Sequence, residues 1–249
     1  MCLIVFAWQV VPAVPLIAAA NRDEFYARAT AAAAPWTDAP QIYAGRDLQA
    51  GGSWMGVSAV PDGEPGASSR FAAITNIRAP SEHRDDAPSR GTLVSDFLAG
   101  SMTPAQYAEQ IRPGCDAYNG FNLVFGDRDT LIWFSNRALG DPRNGQPLAA
   151  GIYGLSNALL DTPWPKVLKT KAQFASLLCL GAPEEAYFEM LADTTRAPDQ
   201  RLPETGVPLE LERVLSAVCI ESPSYGTRTS TVVKLYAQAA PVLHEALVR

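Results

Sequence analysis

Cys2-Leu3-Ile4-Val5-Phe6-Ala7-Trp8-Gln9-Val10, then Val11-Pro12-Ala13-Val14-Pro15, then Leu16-Ile17-Ala18-Ala19-Ala20-Asn21 is the stretch that sets the architecture. Two apolar runs flank a segment holding two prolines. Proline has no N–H to give to a sheet ladder, so Pro12 and Pro15 mark a connection, and residues 2–10 and 15–21 read as strands. An antiparallel hairpin centred near Pro12 sets Cys2 across from Arg22, and therefore against the segment Asn21-Arg22-Asp23-Glu24. If Met1 is removed, Cys2 carries both a thiol and an α-amine. Their ordinary pKa values are about 8.5 and about 7.7–8.0. One residue then supplies a nucleophile and its own base, which is the logic of N-terminal nucleophile catalysis.

The same stretch has another reading. Residues 3–20 are apolar apart from Gln9, and Ala18-Ala19-Ala20 resembles a small-residue cleavage site, so a secretory leader is the alternative. The lack of a basic first region and the two prolines count against it. They also count against a membrane span, which would already be at the short limit. The expected location is cytoplasmic.

Hydrophobic residues make up 47% of the 249-residue chain and charged residues 18%, enough for a substantial core and too apolar for global disorder. Twenty basic against 26 acidic residues give a net charge of -6, with no Lys/Arg block, which argues against a nucleic-acid partner. The cysteines at 2, 115, 179 and 219 form no C-x-x-C pair, so zinc-ribbon, thioredoxin-type and C-x-x-C-H haem sites lack support. Cys115, Cys179 and Cys219 read as small buried hydrophobes.

Further strands are expected at 41–45, 53–60, 70–77, 122–125, 131–136, 151–155, 230–238 and 242–248. Helices are expected at 92–98, 103–111, 165–180, 183–191 and 209–218. The second opens on Thr103-Pro104-Ala105-Gln106, which combines an N-cap, a first-turn proline and a capping-box Gln. Segments 61–69, 79–89 and 193–207 read as loops, and none has the composition of a domain linker. Strands at both ends with helices between them imply one α+β domain spanning 1–249.

Several polar clusters sit at strand ends. Arg22 could lower the Cys2 thiol pKa by its charge, and Asp23 could orient the α-ammonium; the two could equally close a solvated strand end as an ion pair. Asn76, in Thr75-Asn76-Ile77-Arg78, and Asn157, in Leu155-Ser156-Asn157, each offer two amide N–H donors to an oxyanion, or each form an Asx-turn. Arg228 in the Thr-rich segment 225–231 could hold a carboxylate or acyl oxygen, or lie on the surface. Trp54, after Gly51-Gly52-Ser53, could wall a pocket, or follow a glycine turn into a core strand. His83 and His244 lack metal spacing; each reads as a surface residue or a lone haem ligand.

Taken together these clusters resemble the NRDE family, named for the tetrapeptide that stands here at Asn21-Arg22-Asp23-Glu24. The resemblance runs through Met1-Cys2-Leu3-Ile4, Gly51-Gly52-Ser53-Trp54-Met55-Gly56-Val57, Thr75-Asn76-Ile77-Arg78, Ser89-Arg90-Gly91 and Tyr118-Asn119-Gly120-Phe121-Asn122-Leu123. It continues through residues 154–166 and Thr227-Arg228-Thr229-Ser230-Thr231. It implies a four-layer α-β-β-α sandwich of the N-terminal nucleophile hydrolase type. By similarity to the choloylglycine hydrolase and penicillin V acylase group, it implies catalytic roles for Cys2, Arg22, Asp23, Asn76, Asn157 and Arg228. Asn21, Trp54 and Arg78 are expected to bind ligand. The family association implies a haem- or acyl-ligand-handling protein with a small hydrophobic or acyl partner, haem being cargo rather than a required cofactor. The alternative is an active Cys2-dependent amidase or thioesterase. Fold resemblance alone does not choose between them.

Overall fold

The computed structural model describes residues 2–58 and 69–249. The expected ends of one strand (59 and 60) and most of the loop 61–69 lie outside the described residues. The N-terminal hairpin consists of β1 (Cys2–Val11) and β2 (Val14–Phe25). Val11 pairs with Val14 and Ala13 adopts a left-handed φ of 62°, so Pro12 and Ala13 form the turn. A register shift between Trp8 and Val11 follows, and the ladder beyond it sets Cys2 opposite Arg22, the pairing that counting back from Pro12 gives.

The remaining strands are β3 (Thr30–Pro35), β4 (Ile42–Asp47), β5 (Met55–Ser58), β6 (Arg70–Asn76), β7 (Phe121–Gly126), β8 (Leu131–Ser135), β9 (Gly151–Leu155), β10 (Tyr225–Leu235) and β11 (Val242–Leu247). Two antiparallel sheets result, ordered β11-β10-β2-β1-β9 and β3-β4-β5-β6-β7-β8. The helices are α1 (Gly91–Ala99), α2 (Pro104–Ile111), α3 (Pro165–Leu180), α4 (Glu184–Leu191) and α5 (Leu209–Leu215). The fold class is α+β. Among the described residues no helix is long and apolar enough to cross a membrane.

Alternation along the first hairpin sorts its side chains between two cores. Ile4, Phe6, Trp8, Leu16, Ala18 and Ala20 pack with Met55, Val57, Phe71, Ala73 and Trp133 of the other sheet. Leu3, Val5, Ala7, Ile17 and Ala19 pack with Val167, Phe174, Tyr187 and Leu191 of α3 and α4. Burial on both faces explains why β1 reads as an unbroken apolar run rather than an alternating one. A third core joins Ala72, Ile74, Leu123 and Phe125 to Leu93, Val94, Phe97 and Tyr107 of α1 and α2.

Several expectations are corrected. β3 was not expected, because four consecutive alanines have low strand propensity. β10 begins five residues earlier than expected, taking in the Thr-rich segment from Tyr225. The last helix stops at Leu215 rather than 218. Cys179 is exposed on α3, whereas Cys115 and Cys219 are buried. The capping box at Thr103 forms as expected, Thr103 Oγ1 accepting from Gln106 N and Gln106 Oε1 from Thr103 N.

Candidate functional site

Cys2 and Arg22 share the face of their sheet that looks toward the second sheet, at the end where the hairpin strands open. The Ser156 hydroxyl donates to the Cys2 carbonyl (3.0 Å), pinning the start of β1 to the end of β9. A cavity of about 650 Å³ lies over Cys2, with walls from Arg22, Trp54, Asn76 and the segment after Ala87. These walls are mainly polar. Burial raises the Cys2 thiol pKa and the Asp23 charge raises it further; the Asp23 backbone amide and the Arg22 guanidinium oppose them.

Arg22 is 5% exposed, with its guanidinium carbon 4.1 Å from the Trp54 ring centroid. It also donates to Thr30 Oγ1 (3.2 Å) and stands 4.0 Å from Glu24. Burial lowers its pKa. Trp54 can lie there because residue 45 is glycine, where any Cβ would run into the Trp54 ring.

Asp23 sits on the opposite face of β2 from Arg22 but at the same strand end, so it reaches the cavity from beneath. It is 1% exposed, and its Oδ1 accepts from Thr227 Oγ1 (2.6 Å). Burial raises its pKa, while the charge of Lys166 holds it down. Below it lies a set of buried charges. Arg78 donates to Glu212 (2.6 Å), their side chains 5% and 4% exposed. Lys166 is 3% exposed, and among the described residues its Nζ has no hydrogen-bond partner. Burial lowers the Lys166 pKa to about 8, against the pull of Asp23.

Asn76 lines the cavity with Cys2. Asn157 lies behind it, 1% exposed, donating Nδ2 to the Asn76 carbonyl (3.0 Å) and to Asn76 Oδ1 (3.3 Å). Asn157 therefore positions Asn76, and the uncommitted amide donor belongs to Asn76. Three further placements correct the sequence reading. Asn21 turns away from Cys2: its Nδ2 donates to the carbonyls of Leu191 (2.8 Å) and Val218 (2.9 Å), and its Oδ1 accepts from Ser230 (2.6 Å). Arg228 stands at a bulge in β10 and donates to the carbonyls of Phe25, Tyr26 and Arg28; it is not among the described residues lining the Cys2 cavity. Arg78 lines an adjoining cavity instead of this one. His244 is 59% exposed beside Glu184, while His83, 60% exposed, stands on the cavity rim.

Sequence reasoning assigned no role to Ser156, Thr227, Arg90 or Lys166. Two of these leave a signal in the chain. Lys166 puts a cation in the first turn of α3, where the helix dipole disfavours it. Arg90 occupies the N-cap of α1, where Ser, Thr, Asp or Asn is usual.

A structure of an N-acylethanolamine-hydrolyzing acid amidase ortholog from Caenorhabditis elegans aligns with a TM-score of 0.44 and 13% identity, covering 98% of this chain and 100% of that one. The transport and Golgi organization protein 2 homolog of Bos taurus is 35% identical over 94% of this chain and 88% of its own length. The Homo sapiens homolog is 34% identical with the same coverage, and the Drosophila melanogaster protein 31% identical over 94% of this chain and 87% of its own. The family model described as Transport and Golgi organisation 2 matches residues 1–246, and the chain belongs to that family.

Proposed function

We propose that this protein is a Cys2-dependent acyl hydrolase, an amidase or thioesterase, working on a single domain with an N-terminal nucleophile fold. The observation that carries the reading is the register that sets Cys2 opposite Arg22 on the floor of a polar cavity of about 650 Å³. The three cores support a four-layer α-β-β-α arrangement, since they join α3 and α4 to the first sheet, the two sheets to each other, and α1 and α2 to the second.

In this reading removal of Met1 frees the Cys2 α-amine. The amine takes the thiol proton, and the thiolate attacks the bound carbonyl carbon, forming a C–S bond. Asn76 Nδ2 donates to the oxyanion. As the C–N or C–S bond to the leaving group breaks, the ammonium returns its proton to that group. Water then attacks the thioester, the amine accepting one of its protons and passing it to the departing Cys2 sulfur. Asp23 orients the ammonium, and Arg22 favours the thiolate by charge.

Exposure to p-nitrophenyl acetate tests this: an acetyl group is expected on Cys2 by peptide mass mapping, and acetylation confined to other residues would sink the reading. Asn76→Ala is expected to lower turnover about 10²–10³-fold with little change in KM, the loss typical of one oxyanion donor.

A second reading is handling of haem or an acyl ligand without turnover, with haem as cargo. Two observations favour it. Of the two asparagines only Asn76 keeps an uncommitted amide, and His83 on the rim puts an imidazole and the Cys2 thiol on one cavity, both haem-ligating types. A haem titration with no saturable Soret shift would remove its haem form. The cytoplasm, where thiols stay reduced, is the compartment we assign on four free cysteines.

A further inference from the structure

The cavity over Cys2 does not end at Asn76. A second cavity of about 410 Å³ adjoins it, and Asn76, His83, Arg90 and Asn119 line both. Arg90 thus stands at the junction, in the same cavity as the nucleophile. It differs from the other cations of this cavity in what it is bonded to. Arg28 is held by Asp47 at 2.7 Å and lies 3.8 Å from Glu24. Arg22 is stacked on Trp54 and stands 4.0 Å from Glu24. Arg84 is spent on the carbonyls of Asp116 (2.9 Å) and Ala117. Among the described residues the Arg90 side chain makes one hydrogen bond, to the Gly120 carbonyl (3.2 Å), and no ion pair.

A guanidinium has five N–H donors in a planar fork that matches an oxyanion. Burial of this half-buried guanidinium costs desolvation, which the Glu24 charge offsets only from a distance, without an ion pair. Asn76, whose Nδ2 donates to no partner among the described residues, lines the same junction. Asn119 Nδ2 spends one of its two N–H donors on the Arg84 carbonyl (2.8 Å).

We infer that Arg90 is the anion-reading residue of this site, and that the ligand carries a carboxylate or phosphate oxyanion a short distance from the acyl carbon presented to Cys2. The inference rests on the Cys2 reading above for its orientation. One arm of the ligand fills the cavity over Cys2, the oxyanion sits at the junction on Arg90, and the remainder extends into the second cavity, along the wall that Ile77 and Gly120 form.

The test uses the full chain carrying Cys2→Ala, so that binding is measured without nucleophile chemistry. Butyrate, butyramide and propyl phosphate are the probes, with dissociation constants from ligand-observed NMR. At least one anion is expected to bind about tenfold more tightly than the amide, as one charge-assisted contact implies. Arg90→Met is expected to erase that preference. Arg90→Gln, which keeps a donor for Gly120, is expected to erase it too and guards against a folding defect. Preference for butyrate names a carboxylate ligand, and preference for propyl phosphate a phosphate. The inference is overturned if neither anion outbinds butyramide, or if the preference survives in a folded Arg90 variant. Failure of the Cys2 reading shows separately, as absence of acetylation on Cys2 in the unsubstituted protein.

Discussion

Cys2→Ala is expected to reduce acyl turnover by about 10³–10⁶-fold, the range seen when an attacking nucleophile is deleted, while leaving the fold intact. The side chain is small and half-buried, and Cα pairing along β1 continues without it. Cys2→Ser is the sharper control, since it keeps a hydroxyl in place but loses thiolate character. Labelling needs a Cys179→Ser background, because Cys179 is exposed and reacts for reasons unrelated to the site. The pH dependence has a defined sign. Burial pushes the Cys2 thiol up, so the rate of alkylation by iodoacetamide is expected to keep rising through the ordinary thiol range near about 8.5. Arg22 opposes that rise, so Arg22→Leu is expected to move the midpoint of the rate profile to higher pH. A profile that moves to lower pH would show that Arg22 does not act on the thiol through its charge.

The second large effect is on stability. Arg78→Met is expected to destabilise the protein by about 3–5 kcal/mol, because it leaves Glu212 buried without its cation. The two side chains are 5% and 4% exposed, so water cannot replace the lost partner cheaply. Thr205 keeps a hydrogen bond to Glu212 and holds the carboxylate in place, which prevents it from escaping to solvent. Urea unfolding of Arg78→Met, Glu212→Leu and the double variant measures the coupling. The double variant is expected to recover part of the loss, since two apolar groups restore charge neutrality. Purely additive losses would mean that the pair is not energetically coupled.

The sequence made the first hairpin legible because its signals are local. Prolines mark the turn, and counting from Pro12 sets Cys2 beside Arg22; the count holds because the register shifts between Trp8 and Val11. With Cys2 opposite Arg22, alternation turns Asn21 and Asp23 to the other face of the strand. Asp23 still reaches the cavity because it lies at the strand end, whereas Asn21 is one step further in and is consumed by the carbonyls of Leu191 and Val218. Such long-range partners have no local signature. For that reason Asn157 could not be told from Asn76, and Arg228 read as a site residue although it closes a bulge. β3 was hidden by its alanines, since its place depends on pairing with β4 and on the bond from Ala33 N to Glu245 (2.8 Å). Lys166 and Arg90 were visible as charges in the wrong place for a helix start, but what they face depends on the packing of α3 and α1.

We propose that Cys2 is the nucleophile-bearing first residue of the working protein. Intact-mass spectrometry of the purified, active full chain, followed by N-terminal peptide mapping, decides it. The expected result is a chain that begins at Cys2 and gains an acetyl group there on exposure to p-nitrophenyl acetate. An active protein that keeps Met1 on Cys2 would contradict it.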